Sequence, residues 1–221
     1  MSGKIDRRNF IKSAAAAVCA SEALPIFAQE QNTSMQIVMS KYEWLNPPAS
    51  VRDEADKMIV RTKPKTDFWR FTYYGYNNDN GHFYYIPVEG EFKFEARISG
   101  AYAAQYDQAG LMVRQNAANW MKCGTELVDG TRFASVVMTR DFSDWSTMPD
   151  LSKDAPVFWK AARMKDAVEV SCSLDGKKYQ VIRQGYFPPD VPVNVGVMCA
   201  SPVGVGFEAV FEGLKLTKKG K

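Results

Sequence analysis

From Glu91 to Ser99 the chain reads EFKFEARIS, an unbroken alternation of polar and apolar residues. Phe92, Phe94, Ala96 and Ile98 fall on one side, and Glu91, Lys93, Glu95 and Arg97 on the other. Successive strand residues point to opposite faces, so this stretch is spelled for a strand with one dry face and one wet face, not for a helix. The pattern recurs. VEVSCSLDGKKYQVIRQ (168–184) reads as a hairpin, with Val168, Val170, Cys172 and Leu174 pointing inward and Asp175-Gly176 at its turn. Asp129-Gly130 turns another strand into TRFASVVMT, and VNVGVMCAS (193–201) and VGFEAVFEGLKLT (205–217) supply two more. No helical period is sustained beyond Tyr42. The expectation is an all-β domain over residues 41–221, with two antiparallel sheets packed as a sandwich or jelly roll. Phe92, Phe94, Phe207 and Phe211 are assigned to its core.

The first residues, MSGKIDRRNFIKSAAAAVCASEALPIFAQEQ, have a basic start, an Ala-rich apolar run and a small residue at Ala28. That is the layout of an export signal. Asp6-Arg7-Arg8-Asn9-Phe10-Ile11-Lys12 is similar to the twin-arginine signature, which is an address and not an anchor. The expectation is a twin-arginine-type signal over 1–28, a disordered leader over 29–40, and a periplasmic or extracellular protein. The apolar run is shorter than the ~20 residues a membrane span needs. Cleavage after Ala28 would lower the net charge from +3 to +1, which argues against a nucleic acid partner. Cys123, Cys172 and Cys199 would remain; with no CxxC spacing among them, they read as small buried hydrophobes, with a Cys172–Cys199 disulfide as the alternative.

Few residues offer chemistry. A single histidine, His82, rules out a multi-histidine metal site and leaves no plausible nucleophilic triad. NNDNG (77–81) and DFSDWS (141–146) offer oxygen ligands, but their spacing matches no EF-hand loop; no cofactor is expected, with calcium the one candidate. Asx turns are the ordinary reading of both clusters. Aromatic residues are more informative. DFWRF (67–71) is followed by Tyr73, Tyr74 and Tyr76, and Trp120 and Trp145 lie beside charged residues. Aromatic rings next to acids and amides suit sugars, whose C–H faces stack on rings while hydroxyls take hydrogen bonds. In YDQAGLMVRQNAANWMKCGTELVDG (106–130), alternation places Trp120, Lys122 and Glu126 in one row, with Gly124 leaving a gap and Arg114 on the neighbouring strand. The paired-acid strand motif of sandwich-fold retaining glycosidases is absent, so any acid pair must converge across strands.

DFWRFTYYGYNNDNGHFYY, YDQAGLMVRQNAANWMKCGTELVDG, SVVMTRDFSDWS and VGVMCASPVGVGFEAVFEGLKL together resemble the regulation-of-enolase-like family, a domain of unknown function in the concanavalin A-like lectin/glucanase superfamily. The resemblance spans about Lys41 to Lys218 and implies a jelly roll with a concave inner sheet; it carries no catalytic assignment. The resulting expectation is a lectin-like, carbohydrate-binding face of Trp69, His82, Tyr106, Gln108, Arg114, Trp120, Lys122, Asp144 and Trp145, with Asp107 and Glu126 beside them. The alternative is a glycan-active hydrolase with Glu126 and Asp107 as its acid pair, and the third reading a protein-interaction module.

Overall fold

The computed structural model describes residues 42–149 and 155–219; the expected signal and leader lie outside them. Numbered in chain order, the strands of one seven-stranded sheet run β1 (Glu43–Leu45), β6 (His82–Val88), β15 (Val193–Ala200), β8 (Gln108–Asn116), β9 (Asn119–Val128), β10 (Thr131–Arg140) and β11 (Phe142–Met148). The other runs β14 (Gln180–Tyr186), β13 (Ala167–Ser173), β12 (Val157–Met164), β7 (Phe92–Gly100), β16 (Glu208–Lys218), β3 (Lys57–Arg61) and β2 (Ser50–Glu54). Neighbours within each sheet pair antiparallel, and the two sheets pack face to face as the expected sandwich.

The core follows the alternation. Phe92, Phe94, Ala96 and Ile98 of β7 meet Leu111, Val113, Met121 and Cys123 of β8 and β9, with Trp159 and Phe211 filling the same layer. Cys123, Cys172 and Cys199 are buried free thiols, so the disulfide alternative fails. Burial pushes the Cys172 thiol up to about 11. Asp129 and Gly130 both take positive φ (49° and 75°), the two-residue turn whose twist suits a β9–β10 hairpin. Leu174 departs from its expected inward position. It lies past the end of β13, where the chain has begun its Asx turn, and is half-exposed.

Part of the outer face of the first sheet is dry. Met112, Trp120, Val137, Met198 and Phe83 point away from the main core, and a short hairpin covers them. This hairpin pairs β4 (Phe68–Arg70) with β5 (Asn77–Asp79). Its Phe68 is fully buried against Trp120, with ring centroids 6.2 Å apart, and closes a second, smaller core. Gly81 makes the approach possible, because a Cβ there would stand 2.4 Å from the Phe68 ring. Strand β8 is therefore buried on both faces from Gln108 to Arg114.

Candidate functional site

The hairpin is fastened at several points. The Arg114 guanidinium donates to both Asp79 carboxylate oxygens, at 2.7 and 2.8 Å. The Asn46 amide donates to the Asp79 and Gly81 carbonyls, and the Arg70 N–H donates to the Ser143 hydroxyl at 2.9 Å. From below, Lys122 Nζ donates to the Phe68 carbonyl (2.8 Å) and to Asp67 Oδ1 (3.2 Å). These contacts fill the sheet face at its Arg114–Trp120 end and leave it open at the Gln108–Glu126 end.

The open end is a pocket of about 440 Å³, within the range of small-molecule sites. Its floor is Gln108 on β8, Lys122 and Glu126 on β9, Val137 on β10 and Trp145 on β11. Pairing of Gln108 with Glu126, and of Val137 with both Lys122 and Trp145, sets these side chains in register across the strands. Gly110 and Gly124 face each other between them, and a Cβ on Gly124 would lie 2.2 Å from the Ala109 carbonyl oxygen. The walls come from the hairpin and nearby loops: Asp67, Trp69, Tyr74, Tyr76, Asn78 and Tyr106, with Lys65, Pro202 and Val203 at the edge. Tyr106 meets Trp145 edge-on at 6.4 Å, and Tyr74 stacks on Tyr76 at 5.9 Å. The loop at the hairpin tip holds Phe71, Tyr73 and Gly75 at positive φ and leaves Tyr73 93% exposed. Hydrogen bonding to Tyr106, burial and nearby phenols raise the Tyr74 hydroxyl to about 12, so it is a neutral hydrogen-bonding group at any physiological pH.

Glu126 lies at the base of the pocket and is only 6% exposed. Its Oε2 accepts the Trp145 indole N–H at 3.1 Å, and the Gln108 amide stands 3.5 Å from its Oε1. Burial raises its carboxyl above the usual range, with Asp67 pushing the same way and Lys122, Ser135 and Trp145 opposing. Asp67 Oδ1 takes the Phe68 N–H (2.8 Å) as well as Lys122, and the Gln108 amide lies 3.4 Å away. Both carboxylates thus flank one amide nitrogen, and Asp67 Oδ1 and Glu126 Oε1 are less than 7 Å apart, the sum of the two contacts.

Of the residues expected from sequence, Trp69, Tyr106, Gln108, Lys122, Glu126 and Trp145 converge on this pocket. The others serve elsewhere. Asp107 is fully buried, its carboxylate accepting the Ala103 and Ala104 N–H groups (3.0 and 2.9 Å) and the Ser201 hydroxyl (2.6 Å). It neighbours Gln108, and strand alternation sends the two to opposite faces. His82 Nε2 accepts the Lys63 N–H at 2.9 Å, so Nδ1 carries the proton and donates to the Asn46 carbonyl at 2.7 Å. Burial lowers its pKa, and the imidazole is a neutral bridge. Arg114 is spent on Asp79. Trp120 lies beneath the hairpin, 1% exposed, donating to the Ala117 carbonyl. Asp144 points away from Trp145, on the far side of edge strand β11, and pairs with Arg183 at 3.2 Å.

Sequence reasoning missed Asp67, Tyr74, Tyr76 and Asn78 as pocket walls. The dense aromatic run over 67–76 was the available signal; the folding of that run back over the sheet was not.

A family profile described as a protein of unknown function (DUF1349) matches residues 44–219. Regulation of enolase protein 1 of Saccharomyces cerevisiae is 38% identical over 180 residues, covering 81% of this chain and 90% of that protein. A crystal structure of a functionally unknown S. cerevisiae protein superposes with a TM-score of 0.79 at 36% identity, over 83% of this chain and 99% of that one. More distant likenesses show the fold alone. The GH43 protein BlXynB from Bacillus licheniformis gives a TM-score of 0.64 at 14% identity, over 85% of this chain and 38% of that one. The carbohydrate-binding module CBM66 from Bacillus subtilis gives 0.53 at 11% identity, over 80% and 96%.

Proposed function

The chain belongs to the DUF1349 family of proteins of unknown function, and on that premise we propose that its hairpin-covered pocket binds carbohydrate. One observation carries the reading: Trp69, Tyr74, Tyr76, Tyr106 and Trp145 wall a pocket whose base presents Gln108, Lys122, Glu126 and Asp67. Rings take the C–H faces of a pyranose, and a few oriented amides and charges take its hydroxyls. Likeness to a carbohydrate-binding module and to a GH43 protein supports the same reading through fold. The exposed aromatic tip of the hairpin would extend the stacking surface beyond the pocket. The twin-arginine-like start of the sequence supports an exported protein, which would meet glycans outside the cytoplasm.

Affinity electrophoresis through gels containing xylan, arabinan, levan, β-glucan or mannan tests the reading. At least one polysaccharide should retard the wild type, and Trp145→Ala should lose that retardation while keeping a wild-type unfolding midpoint within a few degrees. Equal migration of the two proteins in every gel counts against it.

A further inference from the structure

We propose that the pocket also hydrolyses a glycosidic bond, with Glu126 as proton donor and Asp67 as nucleophile. This rests on the carbohydrate reading of the same pocket. Asp67 and Glu126 are the two carboxylates in its lining, and they come from different layers, one from the hairpin and one from the sheet. Their nearest described link is the Gln108 amide, which holds Asp67 Oδ1 and Glu126 Oε1 less than 7 Å apart. Retaining glycosidases separate their carboxyl groups by ~5–5.5 Å and inverting ones by ~6.5–9.5 Å, and a closest approach bounded in this way accommodates the retaining separation.

The surroundings of the two acids differ in the way the two roles require. Glu126 is 6% exposed, lies against Trp145, and has neutral hydrogen-bonding neighbours in Trp145 and Gln108. Burial raises its carboxyl, as suits a group that must hold a proton and give it up. Asp67 Oδ1 faces an ammonium and a backbone N–H, the partners of a carboxylate, while Oδ2 accepts no hydrogen bond among the described residues. Lys122 is a positioning residue here: it touches Asp67 and fixes which oxygen is left free.

In the first step, Asp67 Oδ2 bonds to the anomeric carbon as the bond to the leaving oxygen breaks, and the Glu126 proton goes to that oxygen. In the second, water attacks the anomeric carbon, Glu126 takes its proton, and the ester to Asp67 breaks. One water is consumed, and no oxidant or reductant is needed.

The experiment follows p-nitrophenol release from the α- and β-p-nitrophenyl glycosides of glucose, galactose, mannose, xylose, arabinose and N-acetylglucosamine. Gel retardation is run on the same samples. The wild type should turn over at least one glycoside. Asp67→Asn and the isosteric Glu126→Gln should each lose ~10²–10⁴-fold in rate while keeping the wild-type circular dichroism spectrum and unfolding midpoint. Asp67→Ala with added azide should form a glycosyl azide of inverted configuration, a product that a merely structural Asp67 would not yield. Retardation without turnover overturns hydrolysis and leaves binding standing. Neither retardation nor turnover removes both readings. Turnover unchanged in the two variants also overturns the assignment.

Discussion

Replacing Lys122 with methionine tests the electrostatics on which the pocket depends. The ammonium is 5% exposed and the Asp67 carboxylate 16%, so their contact is little screened by solvent. Methionine keeps most of the apolar stem but removes the cation, and the Phe68 carbonyl loses the Lys122 donor. Breaking one side of a buried pair costs about 3–5 kcal/mol. It also leaves Asp67 and Glu126 facing each other across less than 7 Å. At an effective dielectric of ~20, two like charges at that distance repel by about 2.4 kcal/mol. The repulsion falls when Glu126 takes a proton. Its carboxyl is already raised in the folded protein, so the folded state binds protons more tightly than the unfolded one, and the stability tied to this group is lost as pH rises. The variant should show this slope more steeply than the wild type. Urea unfolding at pH 5 and pH 8 reads it directly. The penalty of Lys122→Met should be about 3–5 kcal/mol at pH 8 and smaller by about 2 kcal/mol at pH 5, and adding Asp67→Asn should recover about 2 kcal/mol at pH 8. A penalty under about 1 kcal/mol, or one independent of pH, would refute the argument.

Further outcomes follow from single contacts. Gly124→Ala places a Cβ 2.2 Å from the Ala109 carbonyl oxygen, so chemical denaturation should show a loss of about 1–3 kcal/mol, together with lost glycan retardation from the filled gap between Lys122 and Glu126. The buried His82 has a lowered pKa, so the unfolded chain takes up its proton first, and stability should fall as pH drops below ~6.5. A His82→Gln variant should show a flatter profile of unfolding midpoint against pH over that window. All three described cysteines are buried with raised thiol pKa values, so a thiol-specific chromogenic reagent should report none of them until urea unfolds the sandwich.

Where a strand's neighbours were ordinary, its residues announced their own positions. Phe92, Phe94, Ala96 and Ile98 point inward as their spacing requires, and Asp129-Gly130 makes the turn its composition favours. The same period put Trp120, Lys122 and Glu126 on one face, and they are there. Periodicity could not say what lies over that face. The β4–β5 hairpin is held by contacts far apart in sequence, such as Arg114 with Asp79 and Lys122 with the Phe68 carbonyl. Those contacts decide that Trp120 is roofed over while Trp145 lines the open pocket. They also bring Asp67 over Glu126, whereas strand alternation next to Gln108 turns Asp107 to the other face. A carboxylate beside a loop reads identically in sequence whether it caps backbone N–H groups, as Asp107 does, or lines a cavity.

The central claim is that glycan occupies the pocket between hairpin and sheet, and the tryptophan indole N–H signals in a ¹⁵N-correlated NMR spectrum test it most directly. Trp69 and Trp145 line the pocket, whereas Trp159 is fully buried in the core between the two main sheets. Titration with whichever polysaccharide fragment retards the protein should shift the Trp69 and Trp145 indole signals and leave Trp159 in place. The Trp145 signal should respond most, since its N–H lies on Glu126 at the base of the site. Shifts confined to Trp44 or Trp159, with Trp69 and Trp145 unmoved at saturation, would place the glycan elsewhere and contradict the account.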